Sequence, residues 1–134
     1  MVPKLGLEGG IMALISASEE PALSMSSSAI EKTQEIVAYY ADVPVVVAAG
    51  EEIVATATQV ATIIGESRAA REAGDVPRFM RISPLVWKAV DVLMSTAYLY
   101  PDIVDTALGH GSFDRAVDAI AKAKVPKGPV ALAA

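Results

Sequence analysis

The stretch Glu51–Ala73, EEIVATATQVATIIGESRAAREA, decides the fold. Ile53, Ala57, Val60, Ile64 and Ser67 recur at three- and four-residue intervals, the spacing of one helix face rather than one side of a strand. Gly74 follows as a natural C-terminal cap. Such a helix is about 30 Å long, enough to cross a small domain. Ala55, Ala57, Ala61 and the interleaved threonines keep it thin, so a neighbouring helix can approach closely.

Upstream, residues 1–10 (MVPKLGLEGG) read as a Pro/Gly arm, and Ile11–Ser18 as a short helix ended by Pro21. Ser24–Ser28 reads as a polar break. Ser28-Ala29-Ile30-Glu31 then matches a capping box, opening a helix from 29 to about 41 with Ile30, Thr33, Ile36, Val37 and Tyr40 at helical spacing. Val43–Ala49 is ambiguous: its β-branched run suits a strand, and its neighbours suit a helix.

Downstream, Val76–Ile82 reads as a loop, and Ser83-Pro84 as an N-cap followed by a first-turn proline. Leu85, Val86, Ala89, Val90, Leu93, Met94, Ala97 and Tyr98 form a broad apolar face on the helix that follows. Pro101 breaks that helix or begins the next, which carries Ile103, Val104, Ala107 and Leu108 and closes at Gly109. Ser112 caps a last helix, 113–124, with Asp114 and Asp118 early and Lys122 and Lys124 late, as the helix dipole favours. Asp118 and Lys122 are also spaced to pair. Residues 125–134 (VPKGPVALAA) read as a second arm. The expectation is an all-α protein: five to six helices in a compact bundle over 11–124, with extended arms at 1–10 and 125–134.

Composition narrows the class. The apolar residues make up 53% of the chain before its nine glycines are added. That exceeds the usual share and suggests apolar surface buried against other subunits or against lipid. A membrane span is not expected, because the mid-chain charge-free stretch Ile53–Gly65 is shorter than the roughly 18–20 residues required. Glu8 interrupts the only segment resembling a signal peptide, so the expected location is a virion or the cytoplasm. Without cysteine, disulfides and thiolate metal sites are excluded. Asparagine is absent and glutamine occurs only at 34 and 59, which is one mark of proteins from hot environments; five methionines pull the other way.

Charge is uneven. Arg68, Arg71, Arg78, Arg81 and Lys88 lie within 21 residues, opposed only by Glu72 and Asp75, so the stretch carries 5 − 2 = +3 while the rest carries 6 − 14 = −8. Arg68 and Arg71 can be explained as cations at a helix C-terminus, and Lys88 has Asp91 three residues on. Arg78 and Arg81, flanking Phe79-Met80, have no such local explanation. Arginine's planar fork suits phosphate, and Phe79 can stack on a base or pack inward. Arg68, Arg71, Arg78, Phe79, Arg81 and Lys88 are therefore the candidate contacts for nucleic acid or another anion. Acidic surfaces of sister subunits are the competing partner. The net charge of −5 argues against a free-standing nucleic-acid binder and less against a coat, whose acidic face can point outward.

No catalytic residue, metal ligand set or cofactor motif emerges. His110, the single histidine, sits in Gly109-His110-Gly111-Ser112, which reads as a helix end, a turn and a cap. There is no G-x-S-x-G for a hydrolase, and His110 with Asp102 and Asp105 is a nonspecific ligand set. Glu19-Glu20 and Glu51-Glu52 are adjacent on helices and make no carboxylate dyad. Tyr39, Tyr40, Trp87, Tyr98 and Tyr100 read as core or interface residues.

The leading expectation is a non-enzymatic, self-assembling structural protein, a homo-oligomer or filament such as a virion coat (capsid) subunit. It would pack helix faces and arms against its neighbours and turn the belt toward nucleic acid. The plan of helical core, basic belt and interlocking arms resembles in build the coat proteins of filamentous viruses from hot habitats, with no shared motif. The alternative is a small helical regulatory or ligand-binding domain that grips an anionic ligand at an Arg78/Arg81 loop.

Overall fold

The computed structural model describes the backbone of residues 6–124 and the side chains of residues 19–124. Four helices fill that range: α1 Gly6–Tyr39, α2 Pro44–Glu72, α3 Val76–Leu108 and α4 Ser112–Lys124, with no strand among the described residues. Their connections are four, three and three residues long, which forces each helix to run antiparallel to the one before it. α2 lies at the centre, packed on α1 along one side and α3 along the other; α1 and α3 scarcely touch. α4 returns over α3 and reaches α1.

The all-α class is as expected, with four helices in place of five to six, because the expected breaks do not break. Ser24–Ser28 and Pro21 lie inside α1. Ser26 is buried and donates its hydroxyl to the Ala22 carbonyl four residues back, so this serine is satisfied inside the helix and does not end it. Val76–Ile82 is the opening of α3 rather than a loop, and Pro84 and Pro101 are interior to that helix. An interior proline costs about 3 kcal/mol, while each fully buried aliphatic or aromatic side chain returns about 1.5–3 kcal/mol. Phe79 and Val86 are buried on either side of Pro84, and Tyr100 and Val104 on either side of Pro101, so packing on α2 outweighs the lost hydrogen bonds. Near Pro84 the Ser83 hydroxyl donates to the Phe79 carbonyl; it is not an N-cap. The actual cap is Asp75, whose Oδ1 accepts from the Arg78 amide at 3.2 Å, with Pro77 in the first turn.

The face read from Glu51–Ala73 is the face that is buried. Ile53, Ala57, Val60, Ile64 and Ser67 are all inaccessible, extended by Val46, Gly50 and Ala70. Val43–Ala49 resolves as the entry to this helix. Gly74, at φ 70°, closes it: its amide donates to Arg71 O, and that of Asp75 to Ala70 O, a Schellman pair. α2 is also long and apolar enough to cross a membrane by length and composition, with mean hydropathy 1.2 over 18 residues; its buried side is the one α1 and α3 cover.

Gly50 sets the distance between the helices. A Cβ there would overlap Val37 Cγ2 and lie 2.9 Å from Tyr100 Oη and 3.3 Å from Thr33 Cγ2. The missing side chain lets Tyr100, from α3, donate to the Val46 carbonyl of α2 at 3.0 Å. Burial pushes the Tyr100 phenol up to about 12.

Of the expected arms, residues 6–10 belong to α1, which replaces the arm there with helix. Residues 1–5 and the whole of 125–134 lie outside the described residues.

Candidate functional site

The basic stretch is divided by the fold. Arg68 and Arg71, one turn apart near the end of α2, both face α1. There Glu19 is fully buried: its Oε1 accepts from Arg68 Nε and Arg71 Nη1, each at 3.2 Å, and its Oε2 from Ser67 Oγ at 3.2 Å. Glu20, beside it but exposed, takes the other arm of Arg68. These carboxylates, Glu20 first, raise the Arg68 pKa further above its ordinary value. A buried carboxylate is tolerated only when paired and hydrogen-bonded, and three donors meet that condition here. With Glu19 and Glu20 counted, the stretch falls from +3 to 5 − 4 = +1.

Phe79 packs inward. It is fully buried, and the Arg71 guanidinium lies 5.8 Å from its ring centroid, so it offers no face to a base. Arg78 and Arg81 are exposed on the first turns of α3, not on a loop, and neither forms an ion pair among the described residues. Lys88 is likewise exposed; the expected pairing with Asp91 is not made, nor is that of Asp118 with Lys122. The structure thus brings Arg68, Arg71 and Phe79 together in an internal cluster and leaves Arg78, Arg81 and Lys88 on the surface.

The outer side of α3 is the more unusual surface. Of eleven large apolar residues exposed among the described ones, eight are on this helix: Met80, Leu85, Trp87, Val92, Met94, Tyr98, Leu99 and Leu108. All but Leu108 fall into two ribs built on seven-residue spacing. One is Met80, Trp87 and Met94, continued by Tyr98; the other is Leu85, Val92 and Leu99. Val86 and Leu93 face the core, so the broad apolar face read from the sequence is in fact two faces, one buried and one bare. The aromatic residues divide likewise: Tyr100 is core, Tyr40 donates to the Ser112 carbonyl at 2.8 Å, and Tyr98 is 81% exposed.

A cleft of about 580 Å³ opens at the other end of the bundle, between α1, α3 and α4. Ile36, Ile53, Tyr100, Phe113, Val117 and Ile120 supply its apolar walls, and Lys32, Glu35 and Lys124 stand among its lining residues. Lys124 pairs with Glu35 and, at 3.6 Å, with Glu31; those carboxylates raise its pKa. Nothing in the sequence pattern announced this cleft, because it exists only where α4 bridges two helices that scarcely touch.

His110 is fully exposed in the α3–α4 turn, its Nδ1 3.9 Å from Asp105 Oδ2. Asp105 is engaged elsewhere: it accepts from the Phe113 amide at 2.9 Å and the Gly111 amide at 3.2 Å, which hold its pKa below the ordinary value. Asp105, not Ser112, therefore caps α4; the Ser112 hydroxyl faces Arg115 Nη2 at 3.0 Å.

No protein-family model matches the chain, and no curated protein or solved structure is similar to it.

Proposed function

We propose that the protein is a non-enzymatic, self-assembling structural subunit that packs helix faces against neighbouring copies, of the kind that builds a virion coat or a filament. The observation that carries this reading is the bare outer side of α3, with its two apolar ribs. Apolar side chains gathered along one helix and left exposed mark interaction surfaces in a way that scattered single ones do not. The chain's high apolar fraction supports the same reading. Light scattering coupled to size exclusion tests it: concentration-dependent oligomers are expected, and a monomer persisting at high concentration would refute assembly.

In such a coat, Arg78, Arg81 and Lys88 are the cations left to meet nucleic acid, since Glu19 and Glu20 already hold Arg68 and Arg71. A salt series of DNA binding decides this role. Arg78→Ala with Arg81→Ala should weaken binding and flatten its salt dependence; unchanged affinity and slope would remove nucleic acid from the reading.

One observation favours a second reading, a small helical ligand-binding domain. The cleft under α4, about 580 Å³, falls within the roughly 300–1,000 Å³ range of ligand pockets. This moves the ligand away from Arg78 and Arg81 to the opposite end of the bundle. Ala121→Trp should fill the cleft; loss of binding of a small apolar dye, with oligomer size unchanged, would support a separate ligand site.

A further inference from the structure

Leu85, Val92 and Leu99 form a rib with a symmetry of its own: Val92 lies midway between two leucines seven residues away on either side. The outermost of the exposed charges beside the rib, Arg81 and Asp102, follow the same centre with opposite signs. Arg81 and Lys88 lie on its N-terminal side, Asp102 on its C-terminal side, and Asp91 next to the centre. None of the four forms an ion pair among the described residues.

We propose that α3 pairs antiparallel with α3 of a second copy of this chain, about a two-fold axis passing at Val92. This inference rests on the self-assembly reading and specifies its first interface. Val92 meets its own counterpart, and Leu85 of each copy meets Leu99 of the other. Arg81 comes level with the second copy's Asp102, twice by symmetry, while Lys88 stays about 7.5 Å along the axis from the second copy's Asp91. A parallel pair would instead set Arg81 against Arg81 and Asp102 against Asp102, so the charge pattern selects the antiparallel arrangement. A self-complementary patch is what a two-fold interface requires. A groove of about 430 Å³ flanks the rib beside Leu99, Asp102 and Ile103, walled on the α2 side by Val45. In this arrangement the second copy's Arg81 and Leu85 enter it. The rib of Met80, Trp87 and Met94 stays free for a different neighbour, as a growing assembly needs.

The chain has no cysteine, so single cysteines read the geometry directly. Val92→Cys should give a disulfide-linked dimer on mild oxidation. Leu85→Cys alone should not, because its two copies would be about 21 Å apart along the paired helices. Leu85→Cys mixed with Leu99→Cys should give a heterodimer. Arg81→Asp should raise the dimer dissociation constant by about tenfold, two symmetry-related rim ion pairs being lost. Adding Asp102→Arg to the same chain should restore it. A wild-type monomer at all concentrations would sink both assembly and this interface. Stable oligomers in which Leu85→Cys cross-links and Val92→Cys does not would overturn the antiparallel pairing while leaving assembly intact. Oligomers that dissolve on nuclease treatment would overturn it too, since nucleic acid and not α3 pairing would then hold the copies together.

Discussion

The seam between α1 and α2 and the outer side of α3 make opposite use of similar residues. In the seam every feature is answered within the molecule: Gly50 admits Val37 and Tyr100, and Glu19 engages Ser67, Arg68 and Arg71. On the outer side of α3, leucine, valine, tryptophan and methionine stand in water, and Arg81, Lys88, Asp91 and Asp102 form no ion pair among the described residues. The difference teaches that α1 and α2 are satisfied within the chain, while α3 is satisfied on one face and left bare on the other.

Four substitutions probe that contrast. Gly50→Val should be the most damaging, since its side chain collides with Val37 and Tyr100; a loss of about 3 kcal/mol in urea unfolding is expected. Recovery on adding Val37→Ala would show that close approach is the cause. Glu19→Ala should cost about 2 kcal/mol. That is less than the 3–5 typical of a broken buried pair, because Arg68 and Arg71 are 30% and 23% exposed and can turn to water.

Tyr100→Phe should cost about 1 kcal/mol at neutral pH, for the hydrogen bond to Val46. Its pH dependence is more telling. The folded-state pKa is raised from 10.0 to about 12, so folding favours the neutral phenol. The stabilisation is complete below pH 10 and is lost as the pH rises toward 12. Wild-type stability should fall across that window, and the Phe variant should lack this component. Tyr98→Ser should have the smallest effect on monomer stability, within about 0.5 kcal/mol by thermal unfolding, because Tyr98 is 81% exposed. A loss comparable to that of Tyr100→Phe would mean the outer side of α3 is not free.

Much of the core could be read from sequence. The face Ile53–Ala57–Val60–Ile64–Ser67, the closing glycines at 74 and 109 and the start of the last helix within a residue all follow from local spacing and capping. The start of α3 did not. Asp75-Val76-Pro77 and Ser83-Pro84 carry equivalent signals, and only the burial of Phe79 against α2 decides for the first. The arginine belt was visible as composition, but not its division. Glu19 is about fifty residues from Arg68 in the chain, and no local rule pairs them.

By itself, then, the sequence determined that the chain is helical, where the central helix faces inward, and that cations gather after it, because periodicity and capping act over a few residues. Tertiary structure decided how many helices there are, which arginines are neutralised, and which apolar residues stay bare. Those outcomes depend on whether packing against a distant segment exceeds a local cost of a few kcal/mol, and only the assembled bundle contains that partner.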